Sequence, residues 1–233
     1  MKKYELISCP SDLALAHQAA AEWLKELPIR TATLYLVALS GGRIAKHFCA
    51  AIAEQAQGRD LTHVHWFWAD ERCVPPDHAD SNFLLAQKHL FEPLAVAPNH
   101  IHRIRGEENP LRAAELAARE LTELATHQDR GVPVLDMVFL GMGEDGHVAS
   151  LFPNGRPDSG AVYYPVVASK PPPNRITISY TALAVARQAW VLASGSGKET
   201  ALKQSLDENE LTPLSKVIRS RSFTRIFSDL KGV

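Results

Sequence analysis

Cysteine is scarce in this chain. The three present, Cys9, Cys49 and Cys73, are odd in number and far apart, and no Cys-x-x-Cys occurs. That pattern argues against a disulfide framework and for a reducing compartment. Long apolar runs are lacking too. No uninterrupted stretch approaches the roughly 18 residues that read as a membrane-spanning helix. The opening Met1-Lys-Lys-Tyr-Glu-Leu-Ile-Ser-Cys-Pro10 has no apolar segment resembling a signal peptide. A cytoplasmic location with no membrane partner is therefore expected. Nor does one sign of charge dominate: 25 Lys and Arg against 26 Asp and Glu leave a formal net charge of −1. No global basic field would recruit nucleic acid. Two catalytic signatures are missing as well. Without Gly-x-Ser-x-Gly there is no serine nucleophile elbow, and without His-Glu-x-x-His there is no zinc-protease helix.

What is present is an alternation of strand, glycine loop and helix. Residues 13–27 place Leu13, Ala16, Ala20, Leu24 and Leu27 near helical spacing, with Ser11 or Asp12 as cap. Residues 33–39 form a short apolar strand that ends at Ser40-Gly41-Gly42, and a helix follows with Ile44, Phe48, Ala51 and Ile52 on one face. Residues 63–69 repeat the strand pattern and end at Asp70-Glu71-Arg72. Residues 82–91 and 111–125 read as helices, the latter strongly amphipathic. Val134–Leu140 is a third strand, ending at Gly141. Arg175–Ser179 and Ala189–Ala193 are further strand candidates, and residues 197–206 read as a helix. The alternation predicts an α/β fold in three layers, a mostly parallel Rossmann-like sheet with helices on both faces. Residues 1–233 are expected to form a single domain. Ligands of such sheets sit beyond the carboxyl ends of the strands, where the polar clusters fall.

The most informative cluster is Gly141-Met-Gly-Glu-Asp-Gly-His147. Its glycines permit a tight turn and close approach of a ligand to the backbone. Asp145 lies two residues before His147, so a carboxylate can orient an imidazole that takes a proton from water. A glycine turn bearing a surface histidine would read the same way. Ser40-Gly41-Gly42-Arg43 opens a helix after a buried strand, a natural phosphate cradle to which Arg43 adds charge. That loop carries no Gly-Lys-Ser/Thr and no Gly-x-Gly-x-x-Gly. Arg72, after Asp70, can clamp phosphate through two parallel hydrogen bonds, although a surface ion-pair cluster is an equal reading. Lys198 follows Ser194-Gly-Ser-Gly197 at another helix start. His63 with His65 and His100 with His102 are spaced in pairs, but no further ligand pattern accompanies them.

The motifs together resemble those of the 6-phosphogluconolactonases. The strongest is Leu140-Gly-Met-Gly-Glu-Asp-Gly-His-Val-Ala-Ser-Leu-Phe-Pro153. Ala38-Leu-Ser-Gly-Gly42, Trp68-Ala-Asp-Glu-Arg-Cys-Val-Pro75 with Ser81-Asn82, Arg175-Ile-Thr-Ile and Gly195-Ser-Gly-Lys198 accompany it in the family's order. The resemblance implies the glucosamine-6-phosphate isomerase type of fold. It also implies hydrolysis of 6-phospho-D-glucono-1,5-lactone in the pentose phosphate pathway, without metal or organic cofactor. By that similarity His147 is the catalytic histidine, with Asp145 beside it. Arg72 and Lys198 lie near the substrate phosphate and Asp70 is an acidic site position; the helix-start loop adds Ser40, Gly41, Gly42 and Arg43 on its own chemistry, and Gly143 and Arg175 complete the expected substrate-binding set. The partner implied is a small sugar-phosphate lactone, acted on by a monomer or small homo-oligomer. The chain departs from the family at Arg43-Ile44-Ala45, where a small hydroxyl residue and proline are usual.

Two rivals bear on the same residues. Isomerases and deaminases of the glucosamine-6-phosphate type resemble the Gly-x-Gly-x-Asp-Gly-His segment but carry a carboxylate five residues beyond the histidine. Position 152 here is Phe. A non-catalytic sugar-phosphate sensor would keep the phosphate groups but has no need of Asp145 and His147.

Overall fold

Ser11 starts the first helix as its spacing predicts. In the computed structural model, which describes residues 2–28, 33–155, 160–207 and 209–233, its Oγ accepts a hydrogen bond from the Ala14 N–H at 3.2 Å. Strand β1 (Tyr4–Ser8) precedes helix α1 (Asp12–Glu26), which buries Leu15, Ala16, Ala19, Ala20, Trp23 and Leu24 on one face. Strand β2 (Tyr35–Leu39), helix α2 (Arg43–Gln55) and strand β3 (Val64–Trp68) repeat the unit, and β4 (Asp70–Arg72) follows after one residue. Helix α3 (Asn82–Ala86) continues as a π-helical turn over Gln87–Phe91. Helix α4 (Pro110–Leu124) leads through a small hairpin, β5 (Gln128–Asp129) and β6 (Val132–Pro133), into strand β7 (Met137–Gly141). The rest of the chain comprises β8 (Tyr163–Val167), β9 (Asn174–Ile178), α5 (Tyr180–Val185), β10 (Gln188–Ala193), α6 (Glu199–Leu206), α7 (Pro213–Ser220) and β11 (Thr224–Ser228).

Six strands form one sheet in the order β1-β11-β10-β7-β2-β3. Every pair in it is parallel. This is the α/β architecture expected from the alternation of elements, with helices flanking a parallel sheet. The expected strand at 175–179 does exist, but it belongs to a second, antiparallel sheet of order β4-β9-β8. Asp70-Glu-Arg72, which in sequence reads as the loop after a strand, is the edge of that sheet. The strands at both ends of the chain and helices α5 and α7 lie outside the expected elements, although Thr212 as cap, Pro213 at the first position and Leu214, Val217 and Ile218 on one face are a helix signal for α7. β11 contains Arg225, a charge that suggests surface loop. Its guanidinium is held by Glu5 of β1 and by Glu22 and Glu26 of α1, at 3.2, 3.6 and 2.7 Å.

The core is aromatic where helix meets sheet. Trp23 of α1 stands edge-on to Trp66 of β3 and to Phe139 of β7, each with centroids 5.7 Å apart. Phe139 meets Trp190 of β10 at 5.9 Å, and Trp190 meets Phe227 of β11 at 5.2 Å. One chain of rings therefore links four strands of the sheet, in the geometries that aromatic quadrupoles favour. Trp66 and Trp68, which alternate with the histidines, are core residues. No described helix is long and apolar enough to cross a membrane.

Trp23→Ala removes the ring shared by α1 and two strands. Equilibrium urea unfolding should show a loss of about 3–5 kcal/mol, the cost of truncating a buried aromatic. A loss under about 1 kcal/mol would mean that the helix repacks without it.

Candidate active site

The order of the parallel sheet sets β10, β7, β2 and β3 side by side. Their carboxyl ends lead into Ser194–Lys198, Gly141–His147, Ser40–Arg43 and Asp70–Arg72. These segments enclose a cleft of about 430 Å3. Ser40, Gly41, Gly42, Arg43, Asp70, Arg72, Gly143, His147, Arg175 and Lys198 all line it. Of the residues expected in the site, only Asp145 is not in its wall. It reaches the cleft through His147.

The histidine turn is closed by its own backbone. Gly143 N–H donates to the His147 carbonyl at 2.8 Å, and Gly146 N–H donates to the Gly143 carbonyl at 3.1 Å. Asp145 Oδ1 accepts from the His147 N–H at 3.2 Å and lies 2.5 Å from His147 Nδ1. With Nδ1 committed to the carboxylate, Nε2 is the ring nitrogen left for a ligand. Burial works to raise the Asp145 pKa, but the hydrogen bonds and charge of His147 outweigh it and hold the carboxyl below its ordinary value. Asp145 therefore stays ionised through the whole neutral and mildly acidic range. Gly143 is required for a steric reason: a Cβ there would lie 2.1 Å from His147 Nδ1 and Cε1. The ring lies directly against that backbone.

Gly141-Met-Gly-Glu-Asp-Gly146 also fits the spacing Gly-x-Gly-x-x-Gly. The dinucleotide-binding version requires a helix to open there, with the pyrophosphate at its N-terminus. Here the segment folds back through bridges between Met142 and Val148 and between Val148 and Leu151. No helix N-terminus is offered.

Strand β4 sorts three consecutive polar residues by its two-residue period. Asp70 and Arg72 face the cleft. Glu71 points the other way and is buried. Its carboxylate accepts from the N–H groups of Arg72, Asn82 and Phe83, each at 2.8 Å, and from Ser81 Oγ at 3.2 Å. Burial pushes the Glu71 pKa up to about 7 in spite of those donors. Asp70 is fixed by Ser150 Oγ, 2.6 Å from Oδ2, and by Asn82 Nδ2, 2.8 Å from its carbonyl. The Asn82 side chain rests on Gly41, where a Cβ would lie 1.7 Å from its Oδ1. So Gly41 is a spacer that lets the β2 loop close on Asn82.

The cations come from four elements. Arg72 donates from Nη1 to the Asp80 carbonyl at 2.6 Å and is paired across the strands with Arg175. Arg175 donates to the carbonyls of Pro172 and Lys170 at 3.1 and 3.4 Å. Burial first, and then Arg72, lower its pKa. Lys198 is lowered by burial and then by Arg43. Ser40 lines the cleft through its loop. Its Oγ donates to the Phe139 carbonyl at 2.8 Å, so the hydroxyl is committed to the sheet and the loop offers its backbone.

Phe152 touches both halves of the site. Its ring is 4.9 Å from the His147 ring and 5.6 Å from the Arg175 guanidinium. Sequence reasoning missed three contributors. Lys170 enters the cleft from the segment before Pro171-Pro-Pro173, and a lysine preceding a stiff run was a usable signal. Ser150 and Asn82 lie inside the quoted motifs, but their grip on Asp70 depends on tertiary approach. The paired histidines do meet, outside the cleft. His65 Nδ1 lies 2.8 Å from His102 Nε2, and His102 Nδ1 lies 2.8 Å from Glu120. Among the described residues no group of three or more His, Cys, Asp or Glu is arranged to hold a metal ion.

Comparison with known proteins gives the same family on every count. Residues 10–226 match the family model described as glucosamine-6-phosphate isomerases/6-phosphogluconolactonase. A 6-phosphogluconolactonase of Treponema pallidum is 35% identical over 180 residues, covering 75% of this chain and 73% of that one. The human 6-phosphogluconolactonase is 35% identical over 187 residues, covering 77% and 71%. The structure of 6-phosphogluconolactonase from Trypanosoma brucei superposes with a TM-score of 0.86 at 25% identity, over 97% of this chain and 96% of that one. With a matching family model over nearly its whole length, this chain belongs to the glucosamine-6-phosphate isomerase/6-phosphogluconolactonase family.

Proposed function

We infer that the protein, with residues 1–233 acting as one lactonase domain, hydrolyses 6-phospho-D-glucono-1,5-lactone to 6-phospho-D-gluconate, a step of the pentose phosphate pathway. The observation that carries this reading is the His147–Asp145 pair at the wall of a cation-rich cleft. His147 Nε2 takes a proton from water as the water oxygen adds to the lactone carbonyl carbon, C1. The carbonyl electrons move to oxygen, and the Asp145 carboxylate stabilises the imidazolium that forms. The oxyanion then collapses, the bond from C1 to the ring oxygen breaks, and His147 returns its proton to that oxygen. A lactone is already an activated ester, so one general base and charge stabilisation supply the chemistry.

The N–H groups of Gly143 and Gly146 are spent inside the turn. The developing oxyanion is therefore stabilised by other donors of the cleft, in a setting where preorganised charge counts most. Arg72, Lys198 and the backbone of the Ser40 loop, with Arg43, hold the phosphate at C6. Asp70, held by Ser150 and Asn82, accepts from sugar hydroxyls. Phosphate binding far from the reacting bond positions C1 against His147. Phe152 supports hydrolysis over isomerisation. Beside the histidine it offers an apolar ring where ring-opening isomerases carry a carboxylate.

Lactone hydrolysis is best followed at slightly acidic pH, where spontaneous opening is slow. His147→Ala should lower kcat by about 10²–10⁴-fold, the usual worth of a general base. A wild-type rate no faster than buffer would sink the hydrolase reading, and an unimpaired His147→Ala would sink only the assigned base. Arg72→Ala should raise KM about 10- to 100-fold with kcat much less changed, because the phosphate it holds is remote from the bond broken. If KM stays at its wild-type value, Arg72 does not hold the phosphate. Gly143→Ala should cost kcat roughly as much as losing His147 while unfolding at nearly the wild-type temperature, because the added methyl displaces the ring. A variant with normal kcat would show that the ring has room to move and still work.

A further inference from the structure

Charge develops on the lactone carbonyl oxygen during the reaction, and the N–H groups of Gly143 and Gly146 are bonded within their own turn. A donor for that oxygen has to face the cleft, lie near His147 and be fixed before the substrate arrives. Five Lys and Arg side chains line the cleft. Arg43 and Lys198 lie over Gly195, in the loop after β10. Lys170 is exposed. Arg72 is half-buried, with its Nη1 on the Asp80 carbonyl at 2.6 Å. Of the five, Arg175 alone is buried, at 8% exposure.

Arg175 is both fixed and well placed. Its Nε donates to the Pro172 carbonyl at 3.1 Å and its Nη2 to the Lys170 carbonyl at 3.4 Å. Among the described residues Nη1 is left without a hydrogen bond. The guanidinium lies 5.6 Å from the Phe152 ring, and the His147 ring lies 4.9 Å from the same ring. Phe152 lines the neighbouring cavity and not the cleft, so it backs the wall against which both side chains rest. A water held by His147 and a carbonyl held by Arg175 need two hydrogen bonds of about 2.8 Å and the carbon–oxygen bonds between them. Two groups braced on one ring leave room for that and little more. Asp70 and Asp80 act on the guanidinium through charge alone, and burial strips it of water. A fixed charge poor in water counts most toward an anion that forms only as the reaction proceeds.

We propose that Arg175 is a catalytic residue, whose Nη1 donates to the lactone carbonyl oxygen as that oxygen takes up negative charge. The proposal rests on the lactonase reading above and names the donor that this reading requires. As the water oxygen bonds to C1 and its proton passes to His147 Nε2, the carbonyl electron pair moves onto oxygen and is met by Arg175. When the bond from C1 to the ring oxygen breaks, that pair returns to C1 and the ring oxygen takes the proton from His147. Base and donor therefore act on opposite sides of one carbon, and Phe152 sets the distance between them.

The test measures kcat and KM separately for 6-phospho-D-glucono-1,5-lactone in wild type, Arg175→Gln and Arg175→Lys. Arg175→Gln should lower kcat about 10²–10³-fold, the usual effect of removing one oxyanion donor, with KM within about threefold of wild type. Arg175→Lys keeps the charge but loses the planar fork that the two carbonyls hold, and should recover only part of the rate. Inhibition by 1,5-anhydro-D-glucitol 6-phosphate, which has the ring and the phosphate but no carbonyl, should be equally strong in wild type and Arg175→Gln. A loss of kcat below about tenfold overturns the proposal. So does a raised KM together with weakened inhibition, since Arg175 would then hold the phosphate or shape the site as a whole. If Arg175→Gln does not fold, Arg175→Lys carries the same comparison, with a lowered kcat and unchanged inhibition expected. A wild type that does not hydrolyse the lactone sinks the lactonase reading and this proposal with it, whereas an active wild type beside an unimpaired variant sinks this proposal alone.

Discussion

The contact between Asp145 Oδ1 and His147 Nδ1 is the interaction on which the site depends. It selects which ring nitrogen is free, and it keeps a carboxylate ready to support the charged imidazole. Two features of the backbone make it available. The turn closes on itself through Gly143 and Gly146, and Gly143 has no Cβ to push the ring away. The same closure spends the N–H groups of Gly143 and Gly146.

Around that pair the protein gathers cations, with Asp70 and Asp80 acting on Arg175 and Glu144 and Asp229 acting on Lys198. Arg72 and Arg175 oppose each other across two strands, and Arg43 and Lys198 share the space over Gly195. The scaffold tolerates this because its stability resides elsewhere, in the aromatic chain running from Trp66 through Trp23, Phe139 and Trp190 to Phe227. Glu71 shows how the two regions are joined. Buried behind the cleft, it gathers three N–H groups and a hydroxyl, and so holds the segment that presents Asp70 and Arg72.

Much of this was legible in the sequence because it is local. A cap at Ser11, an apolar run ending at Ser40 and a glycine turn ahead of His147 are each decided within a few residues. A recurring strand, loop and helix then implies a parallel sheet, and a parallel sheet puts its loops at one edge. The sequence by itself thus determined the four central strands of the main sheet, β2, β3, β7 and β10, the turn that carries the histidine, and most of the residues that meet in one cleft.

Other features depended on partners distant in sequence, and these only the tertiary structure decided. Asp70-Glu-Arg72 reads equally well as a surface ion-pair cluster. Pairing with β9 makes it a strand, and the strand's alternation turns Glu71 inward and its neighbours toward the cleft. The Ser40 loop reads as a backbone cradle, and only the fold shows that Phe139, from another strand, takes the serine hydroxyl. Ser150 and Asn82 become supports for Asp70 only when the β7 loop and α3 close on β4. The His147–Asp145 pair itself divides the same way. The sequence placed Asp145 two residues before His147, but the fold decided that the ring would lie on Gly143, touch Phe152 and face a cation-rich cleft.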